Sequence, residues 1–127
     1  MFRPASKLPY QLLAPEAQVL VVSVHPEALQ RWRQHACALL PLTGGRVRDV
    51  VRDLLYNPHV RAVVFFGPCG EREAFDAFWA GTTDTSSWAI EDEHLTLVRQ
   101  FVDLFDDDFV IRRPLQPFWP ARIYYPN

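Results

Sequence analysis

Apolar and polar positions fall into two patterns along the chain. Short apolar runs rich in β-branched residues alternate with longer stretches in which apolar residues recur every three or four positions. The first pattern suits strands buried on both faces, and the second suits helices with one buried stripe. Val19, Leu20, Val21, Val22, Ser23 and Val24 form the first run and predict a strand. Pro26 and Glu27 then fit the first turn of a helix reaching about His35, where proline is tolerated and an acid complements the helix dipole. Residues 36–42 read as a second strand closing on Pro41, with a prolonged helix as the alternative.

The period of three to four returns after Thr43, Gly44 and Gly45. Val47, Val50, Val51, Leu54 and Leu55 share one face of a predicted helix, while Arg46, Arg48, Asp49, Arg52 and Asp53 occupy the other. Asn57 and Pro58 end it. Ala62, Val63, Val64, Phe65 and Phe66 predict a third strand, closed by Gly67, Pro68, Cys69 and Gly70. A helix follows from Glu71 to about Ala80 with Ala74, Phe75, Phe78 and Trp79 inward, and Gly81 terminates it. Residues 82–87 are small and polar and read as an exposed loop. A last helix is expected from Asp92, because Leu95, Val98, Phe101, Val102 and Phe105 follow helical spacing up to Asp106, Asp107 and Asp108. Phe109, Val110 and Ile111 suggest one more short strand.

Both ends of the chain are rich in proline. Pro4, Pro9 and Pro15 make residues 1–16 an arm that no regular helix can occupy. Residues 114–127 combine Pro114, Pro117, Pro120 and Pro126 with Phe118, Trp119, Tyr124 and Tyr125, so an extended tail is expected there. The strand and helix order in residues 17–113 predicts an α/β domain, a three-layer Rossmann-like sandwich with a small, mainly parallel sheet. A chain of 127 residues that is 49% hydrophobic and 22% charged has the length and core for one such domain.

The net charge of −2 argues against nucleic acid or an anionic membrane as a partner. Residues 1–70 carry eight basic and four acidic side chains and residues 71–127 five and eleven, so the two parts sum to +4 and −6. No run approaches the ~20 apolar residues of a membrane helix, and the first residues lack a secretory leader, so a soluble cytoplasmic protein is expected. Cys37 and Cys69 are too few for a disulfide scaffold and do not have zinc-site spacing. Neither a dinucleotide fingerprint nor a Walker lysine motif occurs.

Ligands of open α/β sheets bind beyond the carboxyl ends of the strands, and that rule selects three loops. They contribute His25, then Thr43, Gly44 and Gly45, then Gly67, Cys69 and Gly70 as candidate ligand-binding residues. Glycines there let a ligand approach the backbone, although tight strand-to-helix turns also call for them. Cys69 is a candidate nucleophile with His25 as its base if the first and third strands are neighbours. Cys37 reads as core. Asp103, Asp106, Asp107 and Asp108 carry oxygens suited to Mg²⁺ or Ca²⁺, but lack the EF-hand spacing, and a solvated turn accounts for them better. His35, His59 and His94 have no metal-ligand pattern and read as surface or structural. The tail aromatics Phe118, Trp119, Tyr124 and Tyr125 are candidate interface anchors.

From Cys37 to Gly70, the order is an apolar strand, Pro41, Leu42 and Thr43, an amphipathic helix, Asn57, Pro58, His59, Val60 and Arg61, then a strand ending at Gly67. This stretch, about a quarter of the chain, resembles the corrinoid-binding subunit of tetrahydromethanopterin S-methyltransferase and the related uncharacterised domain fused to thymidylate-synthase-like proteins. The resemblance implies a small Rossmann-like fold and an accessory domain in nucleotide metabolism. The methyltransferase subunit holds its corrinoid through a histidine shortly after the strand-end glycine. Here the corresponding loop has no histidine, and Thr43, Gly44 and Gly45 replace the usual Thr-Glu-Asn. No cofactor is therefore expected.

Three functions remain, in order. The first is a non-catalytic accessory or assembly domain that binds a protein partner or forms a homo-oligomer through its tail. The second is a domain binding a nucleotide or other small phosphorylated ligand at the strand carboxyl edge, and the third is an enzyme using Cys69.

Overall fold

In the computed structural model, residues 2–41 and 47–106 are described. They contain strands β1 (Gln11–Leu12), β2 (Val19–Val22), β3 (Ala38–Leu40), β4 (Ala62–Phe65) and β5 (Asp103–Phe105). Helices are α1 (Ala28–Trp32), α2 (Val47–Tyr56), α3 (Arg72–Trp79) and α4 (Asp92–Phe101). The strands form one mixed sheet in the order β1-β3-β2-β4-β5, with β1 antiparallel to β3 and every other pair parallel. The architecture is α/β, as the alternation of patterns predicts. No helix among the described residues is long and apolar enough to cross a membrane.

Side-chain alternation along the strands divides the interior into two clusters. Leu20, Val22, Ala38, Leu40, Val63 and Phe65 face one way, onto Val47, Val50, Val51, Leu54 and Leu55 of α2, Phe75 and Phe78 of α3, and Leu95 and Val98 of α4. Val19, Val21, Leu39, Ala62 and Val64 face the other way, onto Ala28 and Trp32 of α1. Period-two residues therefore meet helices on both sides, which is why the central strands read as continuous apolar runs.

Three expectations need correction. First, Val102 and Phe105 do not extend the last helix. The backbone turns extended at Val102 (φ −115°, ψ 126°), and β5 pairs with β4 from Asp103 onward. Apolar residues at 101, 102 and 105 satisfy both periods, and sheet pairing resolves the ambiguity. Trp79 Nε1 donates to the Val102 carbonyl at 2.8 Å, holding the junction. Second, Ala74 is exposed, so the inward face of α3 is Phe75 and Phe78 with Trp79 half-buried. Third, Asp53 is not on the solvent face of α2; it is 0% exposed.

Asp53 is the anchor of the N-terminal arm. Its Oδ1 accepts the backbone N–H groups of Ala5 and Ser6, each at 2.7 Å, and its Oδ2 accepts the hydroxyls of Ser6 (2.5 Å) and Tyr10 (2.6 Å). Just past the end of α2, Asn57 accepts from Arg3 N–H (2.7 Å) and donates to the Arg3 carbonyl (2.9 Å). Phe2 is thereby buried in the larger cluster, its ring edge-on to Tyr10 at 5.0 Å. Burial and the adjoining Asp53 carboxylate push the Tyr10 phenol upward, so it remains a donor.

The expected strand at Phe109, Val110 and Ile111 and the aromatic tail lie outside the described residues.

Candidate functional site

The four parallel strands run in the order β3-β2-β4-β5. From β2 the chain passes through α1 to β3 on one side, then returns through α2 across the sheet to β4 on the other side. The crossover that starts from β2 and the one that ends at β4 thus diverge, and in open α/β sheets ligands bind at the carboxyl ends of strands that part in this way. His25 follows β2, and Gly67, Cys69 and Gly70 follow β4, so sheet pairing brings these candidates to one edge. Thr43, Gly44 and Gly45 lie outside the described residues.

Ser23, which closes β2, stitches this edge together. Its N–H donates to the Leu40 carbonyl at 3.0 Å, and its hydroxyl donates to the Phe66 carbonyl at 2.5 Å. The same oxygen accepts His25 N–H at 2.9 Å. One small buried residue therefore links β3 through its backbone N–H, and the end of β4 and the turn out of β2 through its hydroxyl. The chemistry was visible in the sequence as a lone polar residue ending an apolar run, but its partners were not.

The His25 ring is held from two directions. Its Nδ1 accepts Glu27 N–H at 3.1 Å, and the ring packs edge-on against Phe66 with centroids 5.2 Å apart. With Nδ1 engaged as acceptor, the proton of the neutral imidazole resides on Nε2, which can donate to an anionic oxygen. Arg31 lies with its guanidinium 5.6 Å from the Phe66 ring centroid, adding positive charge on the α1 side.

The glycines differ in purpose. Gly67 has φ +77°, and a Cβ there would sit 3.2 Å from His25 Cβ and Cδ2. This glycine is required by the turn and by the histidine beside it. At Gly70 a Cβ would meet no atom of the described residues within 4 Å, its two chain neighbours aside.

Cys69 is half-buried, and its thiol contacts the Glu71 carboxylate at 3.9 Å. An activated thiolate is usually set beside a cation or an imidazole, whereas this neighbour is acidic. His25 Nδ1, the unprotonated nitrogen, is committed to Glu27 N–H, so it is not placed to act as a base for Cys69, whose thiol instead meets Glu71. Cys37 is wholly buried just before the start of β3, and burial pushes its thiol up to about 12. It lies at the opposite edge of the sheet from Cys69, and both cysteines are free.

The acidic candidates also separate. Asp103 begins β5 and Asp106 follows its end, a span of roughly 10 Å at strand rise, too far to share an ion. Asp107 and Asp108 lie outside the described residues. Asp106 is instead bound by Arg72 at 2.6 Å, and Arg72 also holds Asp76 at 3.1 Å. The Arg72 guanidinium lies 4.5 Å from the Phe65 ring centroid. Burial opposes its charge, but the hydrogen bonds to the two aspartates outweigh that and raise its pKa. This residue, missed in the sequence, fastens the start of α3 to the end of β5 at the carboxyl edge of the sheet.

Among the other histidines, His35 is exposed, whereas His59 and His94 are buried. No protein-family model matches the chain, and no curated protein matches it either.

Proposed function

We propose that this chain is a non-catalytic binding domain of three-layer, Rossmann-like build. Its ligand, a nucleotide or other phosphorylated metabolite, occupies the crevice between the carboxyl ends of β2 and β4. The observation that carries this reading is the reversal of strand order at β2 and β4, with an oriented imidazole standing at that point. His25 Nε2 donates to a phosphate oxygen, Gly70 leaves space for the ligand, and Arg31 contributes to the positive field. The partial resemblance to the accessory domain of thymidylate-synthase-like proteins suits a nucleotide. A nucleophilic role for Cys69 fits less well because its thiol faces Glu71.

Calorimetry with a panel of nucleoside phosphates and sugar phosphates tests the reading. One class is expected to bind. His25→Gln should weaken it by about tenfold, the worth of one charge-assisted hydrogen bond, and Gly70→Asp should abolish it through charge repulsion. Gly70→Asp should leave thermal unfolding unchanged, since no atom of the described residues beyond its chain neighbours lies within 4 Å of its Cβ position. Absence of binding across the panel, or undiminished binding by Gly70→Asp, overturns the proposal.

An assembly role is the second reading, favoured by Leu12, more than half exposed on the short edge strand β1 beside an open cleft of about 430 Å³. The tail aromatics Phe118, Trp119, Tyr124 and Tyr125 would supply anchors. Native mass spectrometry of the full chain and of a chain lacking residues 114–127 separates the two readings. A homo-oligomer that dissociates on truncation supports assembly, and a monomer in both forms removes self-assembly.

A further inference from the structure

The amino end of α4 brings together three potential metal ligands that the crevice does not use. Glu91 precedes the helix, and Glu93 and His94 lie in its first turn. One ligand atom from each falls within 4.8 Å of the other two. His94 is 5% exposed, and its Nε2 stands 3.9 Å from Glu91 Oε2 and 3.6 Å from Glu93 Oε1.

Acidic residues at a helix amino end complement the dipole and need no further purpose. An imidazole does not belong to that pattern. In its cationic form it is repelled by the positive helix end, and in its neutral form it gains nothing from it. Here it is buried and aimed at two carboxylates whose oxygens remain accessible to solvent, with relative side-chain exposures of 73% and 67%. These two separations from Nε2 suit atoms sharing one ion, and the third, within 4.8 Å, closes by rotation of the exposed glutamate side chains. Ligands about 2.0–2.2 Å from a common metal lie roughly 3–4 Å from each other.

We propose that Glu91, Glu93 and His94 form a site for a divalent transition metal, with zinc as its best fit. The two carboxylates are hard ligands that accept any of these cations, and it is the borderline imidazole that favours zinc and its neighbours over magnesium or calcium, which take oxygen alone. Two carboxylates carry four times the opposing half-charge of the helix end, so the local field favours a cation. Three protein ligands leave a coordination position for water.

The test uses the full chain after chelator treatment. Zinc is titrated in competition with a chromophoric chelator, and the imidazole ¹⁵N resonances are followed by NMR. The expected result is a saturable site in which His94 Nε2 shifts on zinc addition. The paired substitution Glu91→Gln, Glu93→Gln should weaken binding by more than about tenfold. Because both carboxylates are exposed, this variant should fold as the parent does; His94→Gln is a second variant, read only if its unfolding profile is intact. Zinc binding unchanged in the double variant, shifts confined to His25 or His35, or no saturable binding would each overturn the site.

Discussion

Asp53 illustrates how far a helical wheel reaches. The wheel puts Asp53 beside the half-buried Arg52 and Asp49, yet the side chain is wholly enclosed by donors more than forty residues away in sequence. A carboxylate buried with four hydrogen bonds is more costly to delete than to retain. Asp53→Ala should destabilise the protein by about 2–4 kcal/mol, and Tyr10→Phe, which removes one of those bonds, by about 1–2 kcal/mol. Urea unfolding gives both values, and an Asp53→Ala loss below about 0.5 kcal/mol would mean that the arm is not held this way.

Helix ends were easier to foresee than helix continuity. Gly81 ends α3 as its position predicts: it adopts φ +79°, its N–H reaches the Phe78 carbonyl, and Thr82 N–H reaches the Ala77 carbonyl, each at 3.0 Å. That pair of bonds is a Schellman closure. Ala89, eight residues on, holds a positive φ of 58° without being glycine. Opposite outcomes are expected from exchanging the two types: Gly81→Ala should cost about 1 kcal/mol and Ala89→Gly should stabilise by up to about 1 kcal/mol. Among the described residues a Cβ at Gly81 meets nothing within 4 Å beyond its chain neighbours, so its cost would be conformational. Paired thermal melts check the signs, and equal signs would refute the argument. The boundary between α4 and β5 was illegible for a different reason. Phe101, Val102 and Phe105 suit a helical stripe, and only the unsatisfied edge of β4 makes a strand the better choice for Asp103–Phe105.

The stability of the whole molecule should depend on pH through His59. Burial holds its imidazole below the ordinary 6.5, although Glu16 and the Pro15 carbonyl pull in the other direction. The unfolded chain therefore binds a proton that the folded one resists. Stability from this group is complete above about pH 6.5 and is lost as pH falls below that value. Melting temperature should decline from pH 7 toward 5, and His59→Gln should flatten the decline. An identical pH profile in the variant would show that another group controls it. At the alkaline end the sign is reversed. The Cys37 thiol, raised from 9.0 to about 12, favours the folded state below pH 9 and ceases to do so as pH climbs through the folded value.

The linear pattern of apolar residues was enough to specify the α/β class, the three central strands and the buried face of α2, because local periods of two and 3.6 decide which side chains share a face. It also placed His25, Gly67, Cys69 and Gly70 just beyond strand ends. It contained no rule for strand order, so it could not bring His25 against Phe66 and Gly67, bury Asp53 under the arm, or take Asp106 to Arg72. Those contacts join segments from 34 to 48 residues apart, and chain distance of that length carries no local signal. They arise when the sheet closes, because each buried donor and charge must then find a partner in space.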